Sequence, residues 1–398
     1  MMKHVFLGRT AAWLVAATTL PVWMIHRLAF RLDHILFPAL RGQTLVRPLF
    51  IVGIPRSGTT ALHRLIAEND DRFTSLRLWE VLLAPALCEK NLIALLSRLD
   101  RRLGRPIGRC LNALQRLFTG GLQTVHPTSL QAFEEDYLGL LAFNGCFLQV
   151  LLFPFRKATW ELVDLETMQP RRRDRLLDTY RGILIRHWIF ETSRKRETGE
   201  PTPPCYLLSK NPSMTSWVPY LMTRFPDAHV IALRRGLEQS LPSQLSSMRS
   251  GFRWFGHRVE DPRLVSRFRE MYFSYWKMLD RYRDDLEAGQ FALVDYEVFR
   301  KDPHAVVTGC LLQFDYGLTA AIESRLTKAS AAMKTYRSQH HYSLDEFGLT
   351  MEEVHLPEPS DQVSRWNSSL ALRRKNDVTE SSLGTKADRC GSGNVGSV

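Results

Sequence analysis

The residues best placed to do chemistry lie in one stretch, Pro48-Leu49-Phe50-Ile51-Val52-Gly53-Ile54-Pro55-Arg56-Ser57-Gly58-Thr59-Thr60. A cation (Arg56), three hydroxyls (Ser57, Thr59, Thr60) and two glycines (Gly53, Gly58) follow directly on an apolar, β-branched run. The run predicts a buried strand. The next residues, Ala61-Leu62-His63-Arg64-Leu65-Ile66, place their apolar members on one helical face. Strand, glycine-rich turn and helix N-terminus together cradle an anion, because loop amides and the helix dipole both present positive charge to it. Gly53 and Gly58 have the Walker A spacing, but Thr59 stands where a nucleoside-triphosphate enzyme needs lysine. The cation sits inside the loop instead, as Arg56. Such a loop suits a transferred group with less negative charge than a γ-phosphoryl, one that needs no obligatory magnesium ion.

At these residues the chain resembles the sulfotransferase superfamily. Pro55-Arg56-Ser57-Gly58-Thr59-Thr60 is similar to that family's loop for the 5′-phosphosulfate of 3′-phosphoadenosine 5′-phosphosulfate (PAPS). The resemblance implies PAPS as co-substrate, no metal, and an acceptor hydroxyl on a lipid, a glycan or a small metabolite.

The elements that must position these groups follow in order. Apolar strands are expected at Cys205–Ser209, His229–Leu233 and Phe291–Asp295, each followed by polar residues and then helix. This is the grammar of a parallel sheet buried on both faces, so the expected fold is α/β with P-loop-like topology. Ligands of such sheets bind outside the carboxyl ends of the strands. Lys210, Arg234-Arg235 and Tyr296 are therefore expected on the same edge as the loop. Residues from about 80 to 200 are too many for a simple crossover and predict a large helical insertion, the place for an acceptor pocket.

Two further assignments follow from the resemblance. An arginine at the end of the third strand and a serine eight residues later hold the nucleotide 3′-phosphate in the family, which points to Arg235 and Ser243. Gly236-Leu237 stands where the family has Asp-Pro or Asn-Pro, so Arg234 with Ser240 or Ser243 stays open as the alternative pairing. Within the insertion, His126 precedes Glu134-Glu135-Asp136. The family carries a histidine and an acidic pair at this place, so His126 first, and Glu134 or Glu135 second, are the candidates for the general base. The carboxylates are equally compatible with the N-terminal charges of a helix beginning near Tyr137. Lys210 is either near the transferring group or the acceptor, or a solvated strand end. The Asp295-Tyr296-Glu297 element, which the family shares, is expected to seat a helix.

Composition narrows the rest. The chain has 398 residues and a formal net charge of +12, a basic balance that fits an anionic ligand or an anionic surface. No zinc-finger or RNA-binding signature supports a nucleic-acid partner. Six cysteines without C-x-x-C spacing suggest neither a disulfide framework nor a zinc site, and favour a reducing compartment. Residues 10–25 carry no charge and include Trp13 and Trp23. Three readings of residues 1–30 stay open: a helix in the membrane interface, a buried helix of the catalytic domain, or a single span, for which the run is short. The expected location is cytoplasmic and membrane-associated, with a single-pass protein as the alternative. The expected catalytic domain covers residues 31–355. Residues 356–398 lack apolar periodicity and are expected to be disordered. A P-loop kinase or nucleotide hydrolase, and a non-catalytic nucleotide-binding protein on the same fold, are the rival functions.

Overall fold

Five short apolar runs form one sheet in the order β2-β3-β1-β4-β5, and every neighbouring pair is parallel. The strands are β1 (Leu49–Gly53), β2 (Phe73–Thr74), β3 (Tyr206–Lys210), β4 (His229–Arg234) and β5 (Phe291–Asp295). This is a computed structural model, and it describes residues 2–106, 109, 130–198, 206–334 and 343–355. The three strands expected besides β1 are present, within a residue at their ends. The two-residue edge strand β2 is an addition, and it is too short to leave a periodic signal. Parallel pairing requires a crossover between successive neighbours. Here the crossovers are α2 (Thr59–Asn69) before β2, α6 (Val218–Arg224) before β4, and the helical pair α7 (Leu237–Trp254) and α8 (Pro262–Asp285) before β5. β1 and β4 are buried along their whole length, which is why they read as continuous apolar runs rather than alternating ones.

Between β2 and β3 runs the expected helical insertion. It holds α3 (Leu78–Leu83), α4 (Leu87–Arg102) and α5 (Pro170–Thr198), with two 3-10 segments, Asp136–Phe143 and Phe147–Leu151, between them. A buried polar knot fixes it to the sheet. The Glu80 carboxylate accepts from Lys90 Nζ at 2.7 Å and pairs with His187 Nδ1 at 2.7 Å, and His187 Nε2 meets Thr74 Oγ1 at 2.9 Å. Burial disfavours the ionised carboxylate, but the His187 and Lys90 charges outweigh it and hold Glu80 below the usual carboxylate range.

The N-terminal run is one helix, α1 (Met2–Leu36), continuing past the predicted 1–30 segment. Its Asp33 is wholly buried, paired with Arg186 Nε at 2.7 Å, and caps the start of α4 through the amides of Leu87 (2.7 Å) and Cys88 (2.9 Å). Among the described residues no helix, α1 included, is long and apolar enough to cross a membrane. Cys88, Cys146 and Cys310 are free thiols. After β5 come α9 (Tyr296–Lys301), α10 (Pro303–Gln313) and α11 (Ala320–Lys334).

Candidate active site

The loop between β1 and α2 is shaped by three residues in the left-handed region: Gly53 (φ 133°), Arg56 (φ 68°) and Gly58 (φ 88°). Gly53 is required by close approach. A Cβ there would lie 2.0 Å from the Leu233 carbonyl oxygen. Its amide and carbonyl are both held by Thr215 Oγ1, at 3.0 and 2.9 Å. Gly58 caps α2, and a Cβ on it would meet the Tyr296 ring at 3.0 Å. Arg56 carries its backbone strain without glycine's freedom, a cost that clusters at functional sites. Tyr272 donates to the Pro55 carbonyl at 3.1 Å from a wholly buried position, which keeps its hydroxyl protonated. Ser57 is buried and its hydroxyl donates to the Leu233 carbonyl at 3.2 Å. It shapes the loop from behind, with its amide donating to the Ile54 carbonyl at 3.2 Å, and it does not line the cleft that the loop borders. The Thr59 and Thr60 amides open the helix, where no intrahelical acceptor exists for them.

The loop forms one side of a cleft of about 790 Å³. Arg56, Gly58, Thr59, Thr60, Glu135, Arg235, Ser243 and Tyr296 line it, whereas Ser57, Lys210 and Arg234, expected on the same edge, do not. Arg56 Nε donates to Ser243 Oγ at 3.1 Å, and Arg235 Nη1 donates to the Arg56 carbonyl at 3.1 Å. Arg235 also lies 4.3 Å over the Tyr296 ring. The alternative pairing does not reach the cleft. Arg234 is buried and spent on two carboxylates, Asp280 and Asp295, each at 3.0 Å, with its guanidinium 4.4 Å from the Trp276 ring. Ser240 returns its hydroxyl to the Gly236 carbonyl at 2.8 Å. Gly236 itself is the N-cap of α7, so the departure from Asp-Pro falls at a helix start without moving Arg235 from the cleft.

At the end of β3, Lys210 is buried rather than solvated, with 2% of its surface exposed. Its Nζ donates to Thr60 Oγ1 at 3.3 Å and to Glu135 Oε1 at 2.9 Å. The helix expected near Tyr137 is a buried 3-10 segment, and Glu135, at its N-cap, makes no capping bond. It turns to Lys210 instead. Glu134 bonds through its amide to the Leu76 carbonyl at 3.2 Å, away from the residues that line the cleft. Asp136, the third carboxylate, goes inward and accepts from Tyr180 Oη at 2.8 Å and from Asn211 Nδ2. Burial pushes its carboxyl up to about 6, against the lowering effect of those hydrogen bonds. His126 lies outside the described residues.

Sequence reasoning missed five polar lining residues: Arg64, Ser213, Gln244, Ser247 and Ser250. Arg64 falls one helical turn after Thr60, and Gln244, Ser247 and Ser250 recur three residues apart on α7. That periodicity was available once Ser243 was placed. Tyr296 was read as seating a helix, yet its ring also walls the cleft between Gly58 and Arg235. Among the described residues no cluster of histidine, cysteine or carboxylate side chains is arranged to hold a metal. Arg56, Arg64 and Arg235 put three cations into one cleft beside a helix N-terminus, with Lys210 buried behind Thr60 and Glu135 of its lining, an anion site by charge and by geometry.

A parallel sheet with this loop and helical insertion is the sulfotransferase fold. It is found in the sulfotransferase STF9 from Mycobacterium avium, with a TM-score of 0.62, 19% identity, 90% of this chain covered and 84% of that one. It is found equally in the sulfotransferase STF1 from Mycobacterium tuberculosis H37Rv, with a TM-score of 0.58, 20% identity and coverage of 85% and 83%. The family model for the sulfotransferase family matches residues 48–319, well over half of the chain, and the protein belongs to that family. It is a sulfotransferase enzyme. Among curated proteins no sequence matches it.

Proposed function

We propose that the protein moves the sulfuryl group of PAPS onto an acceptor hydroxyl. The observation that carries this reading is the Lys210 ammonium, which bridges Thr60 of the loop and Glu135 of the insertion (3.3 and 2.9 Å). It joins the anion-binding loop to a carboxylate in the same cleft. The loop amides, Arg56 and Thr60 hold the 5′-phosphosulfate, and Arg235 with Ser243 holds the 3′-phosphate. Glu135 takes the acceptor proton as the acceptor oxygen bonds to sulfur, and the bond from sulfur to the phosphate oxygen breaks on the opposite side. The leaving adenosine 3′,5′-bisphosphate carries away the electron pair, and Lys210 and Arg56 stabilise the charge that builds on its oxygen. Glu135 is preferred to Glu134 because it lines the cleft and is oriented by Lys210.

Calorimetric titration with adenosine 3′,5′-bisphosphate, against ATP with magnesium, tests the donor half. Binding of the bisphosphate that is lost in Arg56→Ala is expected, and binding of ATP alone overturns the reading. For the base, Glu135→Gln is expected to cut turnover by about 10²- to 10⁴-fold with bisphosphate affinity kept. If Glu135→Gln turns over normally and His126→Ala does not, the proton goes to His126 instead.

A contact of the N-terminus with a membrane surface belongs to the same proposal. It is supported by a stripe on α1, where Ile25, Leu28, Leu32 and Ile35 are exposed three to four residues apart, with exposed Met24 beside them. α4, joined to α1 through His26 Nδ1 and Glu89 Oε1 at 2.7 Å, adds exposed Leu92, Leu95, Leu96 and Leu99. Arg27 and Arg31 stand beside the α1 stripe, as on helices that lie on anionic lipid.

A further inference from the structure

Next to the cleft lies a second cavity, of about 590 Å³, whose lining is almost wholly apolar. Leu20, Val22 and Trp23 of α1 form one side, and Leu82 of α3 contributes another part. Leu148 and Leu151 line this cavity and the catalytic cleft alike, so the two adjoin at the 3-10 segment Phe147–Leu151. The volume falls in the range of ligand sites rather than of packing defects. The polar groups on the lining are few: His26 is paired with Glu89 through Nδ1, and its Nε2 and Gln149 Nε2 are buried without a partner, too few for a glycan or a polar metabolite. An aliphatic chain gains the burial of each methylene on entering.

We infer that the acceptor is an amphiphilic alcohol, whose hydroxyl lies at Glu135 and whose aliphatic chain fills the cavity beneath α1. The inference rests on the sulfuryl-transfer reading for the hydroxyl end alone. The chain end rests on the cavity and on the lining residues it shares with the cleft. Val22, at the lining, is 43% exposed, so the cavity meets the surface along α1, next to the exposed apolar stripe. The chain enters from that side, and the charged cleft keeps the hydroxyl end.

The test is calorimetric titration of the full-length protein with hexan-1-ol, octan-1-ol and decan-1-ol, with and without saturating adenosine 3′,5′-bisphosphate. The Kd is expected to fall about fourfold per added methylene, the gain from burying one such group. Leu82→Trp fills the cavity from α3 and is expected to abolish most of that gain. Val22→Trp repeats the test from α1, should the first variant fold poorly. A Kd that does not change with chain length overturns the inference. So does a chain-length gain that persists in both tryptophan variants when circular dichroism shows them folded. Failure of the sulfuryl-transfer reading has a separate signature, absence of bisphosphate binding, whichever way the alcohols behave.

Discussion

Arg234 and Arg235 are adjacent in sequence and opposite in fate. Successive side chains at a strand end point to opposite sides. Arg234 is thereby driven between Asp280 and Asp295, while Arg235 reaches the cleft. Arg235→Ala is expected to weaken adenosine 3′,5′-bisphosphate by about 10- to 100-fold in calorimetry, the loss of a charge-assisted contact of roughly 1.5–3 kcal/mol. The unfolding free energy is expected to change little. Arg234→Ala should do the reverse, costing about 2–3 kcal/mol in urea unfolding. This is below the loss for a fully buried pair, because Asp280 and Asp295 keep part of their solvent. Asp136 makes a prediction in pH. Its folded carboxyl is raised to about 6 by burial. Ionising it costs more in the folded state than in the unfolded one. Its contribution is therefore fully present below the usual carboxylate range and is lost as pH rises through about 6, by up to roughly 3 kcal/mol. Asp136→Asn is expected to remove that decline when urea midpoints at pH 4.5 and pH 7 are compared.

The strand-loop-helix element was fully legible in sequence, because its demands are local. Two glycines, a proline and a β-branched run specify a tight turn whatever surrounds it. What the sequence left open is why each glycine is needed. Gly53 faces the Leu233 backbone, which cannot move without parting β1 from β4. Gly53→Ala is expected to cost roughly 3 kcal/mol or more, or to prevent folding, as read by chemical unfolding. Gly58→Ala meets only the edge of the Tyr296 ring and a left-handed φ, so about 1–2 kcal/mol is expected. It is also expected to weaken bisphosphate binding measurably, since Gly58 caps the helix that faces the ligand. The insertion was legible only as helical. Its 3-10 segments defeat a 3.6-residue period, and Glu135 was for that reason read as a possible N-terminal charge of a helix that does not form.

At the scale of the whole molecule, the sheet gathers residues 56 to 296 on one edge, and the insertion brings Glu135 to the same cleft. α1 belongs to this assembly through Asp33 and Arg186 and yet presents an apolar stripe outward. Vesicle co-sedimentation checks the membrane proposal. Binding to vesicles with anionic lipid is expected to exceed binding to neutral ones, and to fall at high salt as the surface charge is screened. The double variant Leu28→Asp with Ile35→Asp is expected to lose most of it without loss of bisphosphate affinity. Equal recovery of the double variant and the parent protein with the vesicles overturns the proposal.

By itself the sequence determined the loop, the parallel sheet and the edge at which ligands gather, because turn chemistry and continuous apolar runs are properties of neighbouring residues. It determined the family as well, through Pro55-Arg56-Ser57-Gly58-Thr59-Thr60. Only the tertiary structure decided which of two adjacent arginines faces the cleft, which of two adjacent glutamates meets Lys210, and that Leu148 and Leu151 line a charged cleft and an apolar cavity alike. Those choices depend on contacts between residues 61 to 187 positions apart, such as Glu135 with Lys210 and Arg56 with Ser243. No local pattern carries them, because burial assigns each charge its partner only after the chain has closed around it.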